Sequence, residues 1–200
     1  MSRFLFSVLL VLLTAQTSFS QSQNIKDAYF DFLQIRTEPY KAEESIKKGL
    51  ELLQRSKELS MKQIASVTYH LGRLYEANED MASAIPYYEK SIKLSPDYYV
   101  PYRALGFWYF KDAVDLGIKL SRIDKVKEPA LYAELSADYK KLALKTTAYL
   151  EKSQACDPDD ETLSMIVDLY NGIGDTDALS NLPKRLKLLE KNCVTLLDDE

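Results

Sequence analysis

Residues 68–96 read TYHLGRLYEANEDMASAIPYYEKSIKLSP, and the spacing inside this stretch decides the fold. Thr68, Leu71, Gly72 and Tyr75 fall at i, i+3, i+4 and i+7, so they line one face of a helix. Ala84, Tyr88 and Ser91 form a second such stripe. One small residue on each stripe, Gly72 on the first and Ala84 on the second, lets two antiparallel helices approach closely, while Tyr75 and Tyr88 fill the space beside them. Pro96 ends the second helix, because proline lacks an N–H donor and disfavours helix in the residue before it. Leu105-Gly106 followed by Tyr109 then repeats Leu71-Gly72 followed by Tyr75 after 34 residues. A lone glycine in a helix costs about 1 kcal/mol, so two at a fixed period imply a packing use.

The string Leu71-Gly72, Tyr75, Ala84-Ile85, Tyr87-Tyr88, Ser91 and Ser95-Pro96 resembles a tetratricopeptide repeat, whose period is 34 residues. The resemblance implies an all-α fold, a right-handed α-solenoid of about four antiparallel helical hairpins. It also implies a non-enzymatic scaffold that binds a protein or peptide in a concave groove lined by the first helix of each hairpin. Transferring the family's groove positions selects Tyr69, Arg73 and Glu76 from one helix and Arg103, Phe107, Phe110 and Lys111 from the next. Aromatic rings with arginine are common at interaction hot spots, and Arg73 and Arg103 could each fork onto a carboxylate of an acidic peptide. Phe107 and Phe110 have an alternative place, buried beneath the third hairpin. Members of the family that bind chaperone tails clamp a terminal carboxylate with Lys and Asn. The matching positions here are Asp31, Ile35, Tyr69 and Arg73, so that activity is not expected.

The ends of the chain carry other messages. Arg3 precedes an apolar run from Phe4 to Leu13, and Ser18-Phe19-Ser20 offers small residues at signal-peptidase spacing. We therefore expect residues 1–20 to be a signal peptide cleaved before Gln21. The run is shorter than the roughly 20 apolar residues a bilayer span needs, so stable membrane insertion after cleavage is not expected. The first cysteine is Cys156, so lipid attachment near the leader is not supported. The expected product is exported, periplasmic or secreted, with a bacterial compartment favoured because no Asn-x-Ser/Thr site occurs.

Loss of Arg3 with the leader takes the net charge from -4 to -5. That balance lacks the basic stripe that tracks phosphates, which argues against nucleic acid. Residues 21–200 suffice for one helical repeat domain: the clearest repeat at 65–98, an elongated repeat at 99–158 and a capping hairpin at 160–195. Phe30, Leu33 and Ile35, then Ile46, Leu50 and Leu53, suggest a degenerate first hairpin in which Gln34 stands where the better copies have glycine. Gly72 precedes Pro96 by 24 residues but Gly106 precedes Pro158 by 52, an excess of 28. Val114 and Ile118, then Leu131, Leu135, Tyr139 and Leu142, continue helical spacing on either side of a polar turn. Each helix of the third hairpin is expected to be longer by roughly 14 residues, projecting about 20 Å. That projection either docks a partner or packs on itself.

Met165, Leu169 and Tyr170 lead to Gly174-Asp175, a turn between two capping helices, and Leu182, Leu186 and Leu189 mark the last stripe. The single histidine, His70, has no metal-ligand neighbours at suitable spacing and reads as an ordinary helix residue. Phosphate loops, nucleophile elbows and metalloprotease motifs are absent, so no catalytic residue, metal or cofactor is expected. Cys156 and Cys193 fall near equivalent ends of adjacent hairpins, where an oxidising compartment would allow either a disulfide or two separate thiols. Behind the adaptor stand a self-associating envelope protein, with Tyr98, Tyr99 and Tyr102 at its contact, and a small-ligand binder.

Overall fold

The computed structural model describes residues 23–195, and the expected signal peptide lies outside them. Nine α-helices are described: α1 (Ile25–Ile35), α2 (Ala42–Gln54), α3 (Met61–Ala77), α4 (Met81–Leu94), α5 (Val100–Ser121), α6 (Pro129–Cys156), α7 (Asp160–Gly172), α8 (Thr176–Ser180) and α9 (Leu182–Leu189). Among the described residues there is no strand, only one isolated bridge, Tyr98 with Val194. No described helix is long and apolar enough to cross a membrane. The fold is an all-α helical repeat of tetratricopeptide type.

Local chemistry sets the helix starts. Ser60 and Gln63 form a reciprocal capping box at α3, with Ser60 Oγ accepting from the Gln63 N–H at 3.2 Å. Asp80, Asp159 and Asp175 cap α4, α7 and α8 by accepting the N–H of Ser83, Thr162 and Ala178 at 2.8–3.0 Å.

Glycine then governs how closely helices meet. A Cβ on Gly72 would lie 2.7 Å from the Tyr88 ring, and one on Gly106 would lie 2.6 Å from Leu150 Cδ2. Tyr88, Ala84 and Ser91 are fully buried, and the Ser91 hydroxyl donates to the Ala65 carbonyl at 2.9 Å, tying α4 to α3. The first hairpin also relies on glycine, but on its second helix: a Cβ on Gly49 of α2 would lie 2.9 Å from Leu71 Cδ2 and 3.1 Å from Phe32 Cε2. Its buried stripe is accordingly Ser45, Gly49 and Leu52, with Ile46, Leu50 and Leu53 along its edges.

Three apolar clusters follow one another along the chain. Tyr29, Phe32, Leu52, Val67, Leu71 and Leu74 join α1 and α2 to α3. Tyr69, Met81, Ala84, Tyr88, Tyr98 and Leu105 join α3 and α4 to α5. Ala113, Ala143, Leu150, Ile166, Leu169, Tyr170 and Leu182 join α5 and α6 to α7 and α9. Each cluster spans neighbouring hairpins, which is how a repeat array builds a continuous core.

Two expectations need correction. The third hairpin is elongated, but its helices lengthen unequally. Gly72 lies five residues before the end of α3, whereas Gly106 lies fifteen before the end of α5. On the return, α4 starts fifteen residues before Pro96 and α6 starts twenty-nine before Pro158. Thus α5 gains ten residues and α6 fourteen; the rest lengthens the connection, because Pro129 sets the start of α6 and residues 122–128 turn around Asp124, which accepts the N–H groups of Val126 and Lys127. The capping unit differs too. Its returning helix breaks at Asn181, where Pro183 starts α9, so three helices replace a simple hairpin.

Candidate interaction surface

The sequence-selected groove residues divide into two groups. Arg73 and Glu76 are exposed on α3, one turn apart, while Tyr69 is 8 % exposed beneath them. The Tyr69 ring meets Tyr98 edge-on at 5.0 Å and tilts against Tyr88 at 6.1 Å. Burial raises the hydroxyl pKa of Tyr69, opposed by the guanidinium of Arg73 beside it. Glu76 accepts a hydrogen bond from the Tyr88 hydroxyl, whose pKa is pushed far up by burial and then by that bond.

On α5 the residues chosen for the groove are held in the packing instead. Arg103 Nη2 lies 2.8 Å from Asp159 and donates to the Asp157 carbonyl at 2.8 Å; Nη1 lies 3.1 Å from the Asp157 carboxylate and Nε donates to Ser153 at 3.1 Å. This guanidinium latches α5 to the end of α6 and the start of α7, so it does not offer a free fork to a peptide carboxylate. Phe107 and Phe110 are half-buried against the cluster around Leu150 and Ile166. Lys111 alone of these four is exposed. The groove face read onto α5 therefore points largely into the packing against the following repeat.

A residue that the sequence reading left out completes the α3 face. Arg36, the C-terminal cap residue of α1, donates from Nε to His70 Nε2 at 2.8 Å and from Nη1 to the Leu33 carbonyl. His70 thus accepts as a neutral ring, and burial, followed by the nearby charges of Arg36 and Arg73, pushes its pKa down to about 3. Arg36 and Arg73 share a cleft of about 300 Å³ with Thr37, Glu38, Pro39, Ala42, Leu74, Ala77 and Asn78. Glu38 is committed to Lys41 at 2.9 Å, and among the described residues neither arginine has a carboxylate partner. Position 34 gives no hint of this pairing; the only sequence signal was that Arg36 directly follows the helical stripe.

The tyrosines assigned to self-association are also placed differently. Tyr98 and Tyr99 are buried, and Tyr102 packs edge-on against Tyr149 at 6.0 Å. Their loop receives the C-terminal segment: the Val194 N–H donates to the Asp97 carbonyl at 2.8 Å, and Tyr99 N–H donates to the Val194 carbonyl at 3.3 Å. Cys156 and Cys193 form a disulfide, with Cα atoms 5.4 Å apart, that fixes the residue just before Val194 to the end of α6. Glu151, clamped by both Arg185 and the Tyr170 hydroxyl at 2.6 Å, holds α7 and α9 against α6. Among the described residues no group of three His, Cys, Asp or Glu could hold a metal ion.

Comparison with known proteins agrees with this geometry for one repeat. Residues 65–98, which span α3 and α4 to the bridge at Tyr98, match the family model of the tetratricopeptide repeat. No curated protein and no solved structure matches the chain.

Proposed function

We propose that this chain is an exported, non-enzymatic scaffold that holds an acidic peptide segment of a protein partner on the face shared by α1 and α3. Tetratricopeptide repeats generally mediate protein–protein interaction, and that general role fits the repeat at residues 65–98. The observation that carries the more specific reading is the pair Arg36 and Arg73: two guanidiniums on one cleft, neither with a carboxylate partner among the described residues. Arginine presents paired donors to a carboxylate, which adds orientation to charge. Leu74 and Ala77 supply apolar lining between the charges, and Asn78 in the same cleft can bond an extended backbone.

Arg73→Glu tests this. Arg73 is exposed, so the variant should fold; partner captured by crosslinking in the native compartment should fall at least tenfold. Undiminished capture by the folded variant would refute the reading. Self-association keeps one specific support, the apolar side chains Val114, Ile118, Val126 and Leu131, all exposed near the tip of the α5–α6 hairpin. Light scattering of the purified chain at rising concentration separates the two: a monomer removes self-association.

A further inference from the structure

We infer that the backbone of residues 97–99 is a peptide seat. The chain's own Val194 fills it while Cys156–Cys193 is closed, and an extended partner segment carrying a β-branched apolar residue takes it when a dithiol reduces that bond. The occupied seat shows its own chemistry. The Asp97 carbonyl accepts the Val194 N–H at 2.8 Å, and the Tyr99 N–H donates to the Val194 carbonyl at 3.3 Å, so both backbone groups of one residue are held by loop positions two apart in a parallel bridge. The Val194 side chain packs against the cluster that holds Tyr69, Tyr98 and Leu105. Main-chain bonds of this kind take any extended segment, while the slot for the side chain selects a compact apolar residue. The seat shares no lining residue with the Arg36–Arg73 cleft, so it stands apart from the reading of that cleft.

The loop is fixed by contacts other than those to Val194. The Tyr98 N–H donates to the Ser95 carbonyl at 3.1 Å, the Tyr102 hydroxyl donates to the Pro96 carbonyl at 3.0 Å, and the Tyr98 ring meets Tyr69 edge-on at 5.0 Å. The Tyr99 hydroxyl donates to the Asp157 carboxylate at 3.3 Å. A preformed seat binds without the cost of ordering itself. The segment that fills it is tied down differently. From Leu189 the chain reaches Cys193 through one turn of 3-10 helix, Glu190–Asn192, that buries no residue, and Cys193 and Val194 are themselves half-buried. Its covalent tie is the bond from Cys193 to Cys156, the neighbour of Asp157.

Opening that tie is a balanced exchange. Cys156 and Cys193 are half-buried and are the two cysteines of the chain, so a dithiol has this one bond to act on. One thiolate of the dithiol attacks a sulfur of the pair, releases the other cysteine and forms a mixed disulfide; the second thiolate then releases the remaining cysteine. Two electrons and two protons pass to the cysteines, and the dithiol leaves as a disulfide. Val194 is then held by weak contacts that a partner segment can replace.

The test uses a fluorescein-labelled peptide of residues 190–195 carrying Cys193→Ser, with the purified full chain and near-ultraviolet circular dichroism as the check on folding. Cys193→Ser with Val194→Asp in the chain frees the segment and leaves the seat intact. A tethered Val194 competes at an effective concentration of order millimolar, so this variant should bind the peptide about tenfold or more tighter than the oxidised wild type. Wild type treated with dithiothreitol should move towards the variant. A second peptide carrying Val194→Pro lacks the N–H that Asp97 accepts and should not bind. Equal binding by oxidised wild type and the folded variant, no binding by that variant, or equal binding of the proline peptide overturns the seat. Binding by the variant with none by reduced wild type overturns control by the disulfide.

Discussion

Glu79 and Gly174 stand at the same position in two copies of one turn. In the first copy Asp80 N–H reaches back to the Tyr75 carbonyl at 2.9 Å and Glu79 N–H to Glu76 at 2.9 Å; in the second, Asp175 reaches Tyr170 at 2.9 Å and Gly174 reaches Asn171 at 3.0 Å. Both central residues are left-handed, with φ of 60° and 69°. This is a Schellman ending followed directly by an Asp cap, and it favours glycine. Glu79→Gly should therefore stabilise the chain by about 0.5 kcal/mol, the relief of left-handed strain less the extra entropy glycine loses on folding. Gly174→Ala should cost about 1 kcal/mol. Urea midpoints of the two variants check the opposite signs.

Gly106→Ala should destabilise by about 1–3 kcal/mol, because the added methyl meets Leu150 Cδ2 at 2.6 Å with the Leu150 backbone N behind it at 3.4 Å. The overlap is specific to one side chain. In a Leu150→Ala background the same substitution should cost little or nothing, and a double-mutant cycle by chemical denaturation measures that coupling.

His70 should make stability fall in acid. Its folded pKa, about 3, lies below the ordinary 6.5, so between those values the unfolded ring binds a proton that the folded ring excludes. The contribution is complete above pH 6.5 and is lost on acidification at up to about 1.4 kcal/mol per pH unit. His70→Phe should flatten the stability profile between pH 6 and 4 relative to wild type. An unchanged difference between the two proteins across that range would show that His70 is not held neutral.

Reduction of Cys156–Cys193 should loosen the carboxyl-terminal cap. A bridge across 37 residues restricts the unfolded chain by about 3–4 kcal/mol in the chain-entropy account. Hydrogen exchange of the Cys156→Ser, Cys193→Ser variant should accelerate first at α9 and Val194 and least at α3 and α4.

The proposed export makes a separate prediction. Amino-terminal sequencing of the protein recovered from outside the cytoplasm should begin at Gln21; recovery of intact Met1 from that fraction would contradict cleavage.

The repeat at residues 65–98 was legible because Gly72, Ala84 and Tyr88 work at helical spacing within one hairpin. Gly49 leaves no periodic signal because it plays the glycine part from α2, out of phase with the other copies. Arg103 was assigned to a groove by position, yet its partners Asp157 and Asp159 lie more than fifty residues away, and contacts at that separation leave no periodic trace. The same holds for Arg36 and His70, 34 residues apart, and for Val194 seated on the Tyr98 loop. The unequal growth of α5 and α6 was hidden because counting between Gly106 and Pro158 measures only the sum.

The most direct measurement places a photocrosslinking amino acid at Ala77, exposed in the Arg36–Arg73 cleft, and in parallel at Lys90, exposed on α4. Irradiation in the native compartment should join one protein partner to position 77 and none to position 90, with Arg73→Glu removing the product. Equal products at both positions, or a product at 77 that survives Arg73→Glu, would contradict an acidic-peptide scaffold built on this face.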